Sequence, residues 1–517
     1  MSETDEKTWK PRHNPWLIAL IVTMGAFMEI LDTTIVNVSL PHIAGSMSAS
    51  NDDATWTLTS YLVANGIVLT ISGWLSRLLG RKRYFLICIG MFSLCSFLCG
   101  ISGTLWQLIL FRLAQGFFGG GLQPSQQSII LDTFPPERRG AAFAITAIAT
   151  IVAPVLGPSL GGWITDNYNW RWIFFINVPI GAATFFGVMH LVEDPPWEKM
   201  RKSSGIDYIG LSLITLGLGC LQIVIDRGED EDWFGSNFIC IMAALAAIGI
   251  LGAIAWLLYA QKPVINLRVL RDRNLALSSM LIVAMASILY ASAVVLPQMA
   301  QQVLGYTATW AGLILSPGAG LIVILIPFVS QLQKVLATKY VIMIGFLCLG
   351  FAFLYSHELT PDIDFRTLAL MRAAQAGGLA FIFAPLNGIA FSTINKRDNG
   401  DAAALFTMFR NVSGSIGISL STAMTTERTQ VRLAHLSAHV GPLDPGYATL
   451  LGQVRHALIQ QGEAATQAAG MIYQTFRTQG AILAYMDIFA ACSILAFCVV
   501  PLTLLLGSEK AAGGGGH

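Results

Sequence analysis

Charge is what this sequence is short of. Only 12% of its 517 residues are Asp, Glu, Lys or Arg, where a soluble globular chain carries about 25%. With 54% apolar residues and a mean hydropathy of +0.62, too little polar surface remains to coat a soluble particle. Other absences narrow the chemistry. No CxxC and no HExxH occurs, which removes the common redox and zinc spacings. No GxxxxGK followed by Ser or Thr is present and no soluble nucleotide domain exists, so the chain is not expected to hydrolyse ATP on its own. No cofactor, metal site or catalytic residue is expected; energy must come from an ion gradient or from the substrate's own gradient. The net charge of +1 gives no reason to expect a nucleic-acid partner. The polar start, Met1 to Asn14, carries no secretory cleavage signature. All eight cysteines, Cys95, Cys99, Cys348 and Cys498 among them, fall in apolar runs and read as small buried hydrophobes.

What is there is apolar residues in blocks of roughly 20, the length that crosses a bilayer core of about 30 Å. The expected fold is an all-α, polytopic membrane protein with fourteen spans, at roughly 16–40, 54–76, 84–104, 106–131, 140–164, 171–192, 206–226, 236–258, 274–297, 308–330, 338–357, 366–393, 402–425 and 480–507. Lysine and arginine gather on the cytoplasmic side of membrane proteins. With a cytoplasmic N-terminus and alternating spans, 21 of the 31 basic residues face inward, including every lysine; seven arginines, Arg227, Arg432 and Arg455 among them, face outward. Three, Arg112, Arg372 and Arg410, lie within spans. A missed span would invert this bias downstream of the error, so an even count with both termini cytoplasmic is expected.

An internal repeat supports the division. Span 4 contains Arg112-Leu-Ala-Gln115-Gly116, and span 12 contains Arg372-Ala-Ala-Gln375-Ala-Gly377. Each is followed by a short basic inner loop and a span rich in small residues. Two six-helix bundles, 16–192 and 274–507, with two extra helices in a 193–273 linker, explain the spacing; 1–15 and 508–517 are then cytoplasmic ends. The tail, Gly513 to Gly516 and His517, has flexible-linker composition. Transporters are commonly built from such repeats, with the substrate path between them.

Carboxylates inside a membrane span are costly and usually face water or a partner. Glu29 and Asp32 in span 1 are three residues apart, share a helix face, and are expected to raise one another's pKa; that suits proton uptake and release. The alternative is a structural acid bonded to a neighbouring helix. Arg112, with Gln115, is a permanent charge that either holds the span 1 acids ionised or glues helices together, and the same choice applies to Arg372 and Arg410. In span 5, Gly157 and Gly161 form a small-xxx-small pair that lets backbones approach, while Pro154 and Pro158 soften the helix; with Gly162 they read as hinge and seal, or as ordinary membrane packing. Asp487 in the last span is a secondary proton or substrate contact, or an interfacial acid. The outer segment 428–479 is far longer than the other outer loops. Beyond Gly446 it has helical spacing of Tyr447, Leu450, Leu451, Val454 and Leu458, either docking a partner or capping the protein's own outer face.

The run Leu31-Asp32-Thr-Thr-Ile-Val-Asn37-Val-Ser-Leu-Pro41, the Arg112 to Gly116 segment, Gly157-Pro158-Ser-Leu-Gly161-Gly162, Trp170 to Gly181 and Gly305 to Gly312 together resemble the fourteen-span drug:proton antiporter branch of the major facilitator superfamily, and most nearly its EmrB-type exporters of Gram-negative bacteria. The likeness runs nearly end to end. It implies alternating access in the inner membrane, with Asp32 and Glu29 exchanging protons for lipophilic cargo and Asn37, Arg112 and Gln115 supporting them. It also implies a periplasmic adaptor and an outer-membrane channel as partners. In the inner-loop motif Gly73-Trp-Leu-Ser-Arg77-Leu-Leu-Gly80-Arg81-Lys82, Arg77 stands where the superfamily usually has aspartate, so the resemblance does not carry over its usual acid–arginine latch between bundles. Ala144 and Ala153 stand where the antiporter motif usually has glycine. Export of a specific metabolite or siderophore, and a non-transporting sensor or scaffold, are the competing readings; a scaffold has no need of intramembrane acids.

Overall fold

The computed structural model describes residues 11–194, 207–261, 263–356, 363–395, 398–437, 445–460 and 467–507. Among these residues every regular element is a helix: α1 (Pro15–Ser46), α2 (Asn51–Leu79), α3 (Arg81–Gly100), α4 (Leu105–Gly119), α5 (Leu122–Thr133), α6 (Pro136–Asn167), α7 (Trp172–Phe175), α8 (Asn177–Leu191), α9 (Tyr208–Arg227), α10 (Asn237–Tyr259), α11 (Arg273–Gln302), α12 (Ala308–Val335), α13 (Thr338–Tyr355), α14 (Phe365–Ala390), α15 (Asn399–Ser437), α16 (Pro445–Gln460), α17 (Ala468–Cys498) and α18 (Val500–Leu504), with two short 3-10 turns. Side-chain caps start many of them. Asn14, Ser50, Thr104, Asp207, Asp272, Thr307 and Asp364 each accept a backbone N–H of the following first turn, satisfying donors that have no partner within the helix. Between α2 and α3 the chain reverses on Gly80 at φ 86°, a left-handed conformation that glycine adopts without a Cβ clash.

Among the described residues, eleven helices are long and apolar enough to cross a membrane, and a twelfth candidate is α6, bent by 41° between Arg138–Pro154 and Leu156–Asn167. The bend falls beside Pro154, whose ring removes a helical hydrogen bond. Two expected spans have a different character. The 106–131 run is two helices, α4 and α5, joined through Gly119, Gly120 and Gly121, and the second of them is polar (LQPSQQSIILDT). The 402–425 run lies inside α15, whose 39 residues extend about 58 Å at 1.5 Å per residue. Length and polarity explain both: α4, at 15 residues, is too short to cross alone, while α5 is buried against other helices and 402–425 is mostly buried or half-buried, so these two need little apolar surface.

The outer surface is apolar. Ile248, Leu251, Ile324, Phe351 and Ile494 are all more than 60% exposed, an arrangement that only a lipid surround makes stable. Of the cysteines, Cys88, Cys95, Cys99, Cys220 and Cys492 are buried, whereas Cys240, Cys348 and Cys498 are exposed on this outer face. The expectation that all eight are buried therefore fails for three, because an apolar span has a lipid-facing side as well as a packed one.

Helix α1 packs on α2, α5, α6 and α8, and α4 packs on α2 and α3; likewise α11 packs on α14 and α15, α13 on α14 and α17, and α15 on α17. The two groups meet where α6 packs on α12 and α14, and where α15 packs on α2 and α5. Close approach is built on small residues. A Cβ at Gly312 of α12 would stand 2.3 Å from Ser159 Oγ of α6, and one at Gly73 of α2 would stand 2.8 Å from the Gly400 carbonyl of α15. Helices α9 and α10 pair through facing Gly217 and Gly249, and α9 touches α2 on one side and α15 on the other.

Candidate functional site

The site is built where side chains of α1, α4 and α8 converge. Asp32, 1% exposed, accepts from Arg112 NH1 at 2.5 Å, from Gln115 Nε2 at 3.1 Å and from Asn177 Nδ2 of α8 at 2.7 Å. Arg112, fully buried, also donates through Nε to the Thr57 carbonyl (3.2 Å) and through NH1 to Gln115 Oε1 (2.9 Å), and its guanidinium lies 4.2 Å from the Tyr61 ring centroid and 5.6 Å from that of Phe174. The geometry follows from local sequence. Arg112 and Gln115 are three apart and so point the same way from α4. Gly116, one residue further, has no side chain, and a Cβ there would stand 2.2 Å from the Tyr61 carbonyl, so α4 presses its polar face against α2 at this level. Asn177, held also by Ser96 Oγ at 3.0 Å, adds a third donor to those of Arg112 and Gln115 on the Asp32 carboxylate, and such bonds offset part of the cost of burying a charge pair.

Glu29, 3% exposed, occupies a separate polar nest. Its two oxygens accept from Asn65 Nδ2 of α2 (2.9 Å) and from Gln123 Nε2 of α5. Gln123 Oε1 in turn accepts from Arg410 NH2 of α15. The two span 1 acids thus share a helix face but not a binding site. Each has its own set of donors, because the neighbouring helices present a guanidinium to one and amides to the other.

The other expected residues divide clearly. Arg372 repeats the Arg112 arrangement in the carboxyl-terminal group: NH1 donates to Ser292 Oγ of α11 (2.8 Å) and to Gln375 Oε1 (3.4 Å), and Gln375 donates to Ser356 (3.0 Å). Ser292 stands where the other half has Asp32, so the copied arginine has lost its acid. Asn37 is exposed and joins neither cluster, because it lies more than a turn beyond Asp32 on a different face of α1. Asp487 of α17 pairs with Arg432 of α15, NH2 to Oδ1 at 2.8 Å, so the last-span acid and an arginine assigned to the outer loop bind one another between helices. Arg227, also assigned to a loop, is the buried last residue of α9, bonded to Thr55 and ion-paired with Asp230 and Glu231.

In α6, Gly157 and Gly161 face α1: Cβ atoms there would meet Thr34 Oγ1 at 2.0 Å and the Ile35 carbonyl at 3.0 Å. Pro154 is buried and Pro158 half-buried on the same helix, where Gly162 also lies. Arg77 does form a link between the two helix groups, with the polarity reversed: its NH1 pairs with Asp401 of α15, and its NH2 donates to the Val264 carbonyl at 3.3 Å. Arg81 pairs with Asp132 of α5, and Arg139 NH1 reaches the Phe391 carbonyl across the groups at 3.4 Å. On α16, Tyr447, Leu451 and Val454 are half-buried, whereas Leu450 is exposed; α16 lies against α17. The side chain of Leu458, parts of the 428–479 segment, and the tail lie outside the described residues. Sequence reasoning missed Asn65, Gln123 and Asn177 as site residues. Their signal was a neutral amide within a span, strongest in the run Gln123-Pro-Ser-Gln126-Gln127.

Apolar outside, charged inside and lined by paired helices, this is the architecture of a multi-pass membrane transporter, not of an enzyme. The family model for the Major Facilitator Superfamily matches residues 22–418, and the chain belongs to that superfamily. It is 37% identical to the multidrug export protein EmrB of Haemophilus influenzae, over 92% of each chain, and 36% identical to EmrB of Escherichia coli strain K12, over 97% of each. It is 33% identical to the fatty acid resistance protein FarB of Neisseria gonorrhoeae, over 97% of each. Among solved structures it resembles the proton:xylose symporter XylE, with a TM-score of 0.58 at 13% identity, covering 96% of this chain and 98% of that one. These relatives and the apolar helices place it in the inner membrane.

Proposed function

We propose that this chain is a proton-driven antiporter that exports lipophilic compounds across the inner membrane by alternating access. The observation that carries this reading is Asp32, buried in the first helix and bonded to Arg112, Gln115 and Asn177. An ionised carboxylate satisfies three donors there; a protonated one leaves Arg112 without its counter-charge and weakens the α1–α4–α8 junction. Proton uptake at Asp32 thereby favours a different packing of these helices, and cargo binding favours the first. The names of its relatives, multidrug export and fatty acid resistance proteins, support lipophilic cargo.

The finer topology belongs to the same proposal: fourteen crossings, both termini cytoplasmic, bundles at 16–192 and 274–507, and an inserted pair in 193–273. The glycine-broken α4–α5 run and the polar α15 supply the two crossings that hydropathy alone does not score. The chain works with a periplasmic adaptor and an outer-membrane channel, the adaptor resting on the outer segment that includes α16. It needs no cofactor, since the proton gradient supplies the energy.

Dye efflux from proteoliposomes under an imposed pH gradient tests the reading. Wild type is expected to extrude a lipophilic dye. Asp32→Asn, at equal reconstituted protein, is expected to lose gradient-driven efflux by more than tenfold. Efflux by Asp32→Asn at the wild-type rate removes Asp32 from coupling, and wild type indifferent to the gradient overturns proton drive. A susceptibility panel of a deletion strain, with and without the adaptor gene, tests the tripartite assembly.

A further inference from the structure

Asp32 alone suffices for a proton switch, yet Glu29 lies one turn earlier on α1 with different partners. Among the described residues, no hydrogen-bond path leads from Asp32 to the carboxyl-terminal helices: Arg112, Gln115, Asn177, Thr57 and Ser96 all belong to α2, α3, α4 and α8. From Glu29 there is such a path. Gln123 of α5 donates through Nε2 to Glu29 and accepts through Oε1 from Arg410 of α15. Acid, amide and guanidinium are 3%, 4% and 1% exposed, so water does not screen the chain. A second contact, Thr407 Oγ1 donating to Gln127 Oε1 at 3.1 Å, ties the same two helices one turn along.

The chemistry of the three groups fixes their order. An ionised carboxylate only accepts, a guanidinium only donates, and an amide has one end of each kind. With Glu29 ionised, the amide must aim its nitrogen at Glu29 and its oxygen at Arg410, and every link is satisfied. A proton on Glu29 adds a donor. If that O–H takes the amide oxygen, the amide nitrogen is turned toward Arg410, which has nothing to accept with; if the amide stays, Glu29 no longer presents a charge to the chain. The ionisable groups facing Glu29 are Asp32 on its own helix, Tyr61 of α2, Tyr290 of α11 and Arg410 of α15. Asp32 is already paired with Arg112, and the tyrosines are neutral at physiological pH. Arg410 therefore bears the change. Its NH1 has no hydrogen-bond partner among the described residues, and Phe383 at 6.0 Å offers little compensation for a buried cation that has lost its acid.

We propose that Gln123 is the positioning residue that relays protonation of Glu29 to Arg410, so that proton uptake releases α15 from α5. This rests on the proton-driven reading above and adds the step by which one acid governs contact between the two helix groups. Asp32 sets packing within the amino-terminal group; Glu29, through Gln123, sets the contact across.

The test uses full-length protein in lipid nanodiscs, with spin labels at Ile101→Cys and Tyr355→Cys and the exposed Cys240, Cys348 and Cys498 replaced by alanine. Inter-label distances are followed from neutral to acid pH. Wild type is expected to shift its distance distribution on acidification. Glu29→Gln is expected to hold the acid distribution at every pH. Gln123→Met is expected to lose the pH response or move its midpoint by about one unit, a tenfold change in proton affinity, and adding Arg410→Met to it is expected to change nothing more. Gln123→Asn, too short to reach both partners, serves if the methionine variant fails to fold. A Gln123 variant that keeps the wild-type midpoint overturns the relay while leaving gradient-driven dye efflux, and so the antiporter reading, intact. Wild type with no pH response overturns the relay as well, and only a failure of the efflux assay then removes the antiporter.

Discussion

Two arginines with the same local sequence meet different fates in this molecule. Arg112 is held by Asp32, Gln115 and Asn177's shared acid; Arg372 has Gln375 and a serine hydroxyl but no carboxylate. Removing one member of a buried ion pair strands the other and costs about 3–5 kcal/mol, whereas removing Arg372 strands no charge. Thermal melting of the purified protein is expected to separate them: Arg112→Met loses about 3–5 kcal/mol, and Arg372→Met melts near wild type. Equal losses would mean that the pairing with Asp32 does not distinguish the two sites. Legibility at this scale follows charge. Asp32, Glu29 and the three arginines stood out because a charge in an apolar run is unusual whatever surrounds it. Asn177, Asn65 and Gln123 did not, since a neutral amide in a span is common and only its partners, 145, 36 and 94 residues away in sequence, reveal its use. Asn37 misled for the converse reason: it belongs to a recognisable motif, but a helix turns about 100° per residue, and five residues beyond Asp32 it faces elsewhere.

Among the elements, α2 and α15 show how a departure from a family pattern can still leave an acid–arginine pair between the two groups. Arg77 replaces the usual acid, and Asp401 supplies the acid from the facing helix, with Gly73 lying against Gly400 so that the backbones come close enough for the pair to form. The link is legible in part. Arg77 was an evident anomaly, but its partner lies 324 residues away and no local pattern marks it. The span count has a similar limit: apolar length finds helices that face lipid, and α5 and α15 face protein. If the reversed latch holds the two groups together, Arg77→Asp and Asp401→Arg each weaken it, and the double exchange restores it with a coupling of about 0.5–3 kcal/mol, the range for contacting residues. Export rates of the four proteins in proteoliposomes give the cycle. Strict additivity of the two single losses would show that the residues act separately. A bulkier change, Gly73→Val, is expected to abolish export even with both charges present, because its side chain collides with the Gly400 backbone.

For the whole molecule, the proposed alternating access would require one group of helices to rock against the other, yet α9 is bonded to both. On the amino-terminal side Asp226 accepts from Thr59, and Gly219 faces Val63 and Ile67 of α2, near enough that an added Cβ would touch both side chains. On the other side Gln222 donates to Ser415 at 3.3 Å and Ser419 donates to the Ile225 carbonyl at 2.6 Å. A rigid helix cannot keep both sets while the groups move apart, so one set must break in each cycle. The α2 side is the more extensive: it packs small residue against apolar side chains, adds the Asp226–Thr59 bond, and ends in the buried Arg227, whose guanidinium lies 5.2 Å from the Trp56 ring and bonds Thr55. Packing of that kind gives way less readily than two hydroxyl and amide hydrogen bonds, each worth about 1 kcal/mol. The inserted pair is therefore expected to travel with the amino-terminal group and to slide on α15. Tethering distinguishes the alternatives. In a background without the exposed cysteines, a short bifunctional reagent joining Val63→Cys to Gly219→Cys is expected to leave dye efflux within about twofold of the untethered protein, since those helices move together. The same reagent joining Gln222→Cys to Ser415→Cys is expected to stop efflux until it is cleaved by reductant. If the first tether blocks transport and the second does not, α9 rides with the carboxyl-terminal helices, and the moving surface lies between α9 and α2.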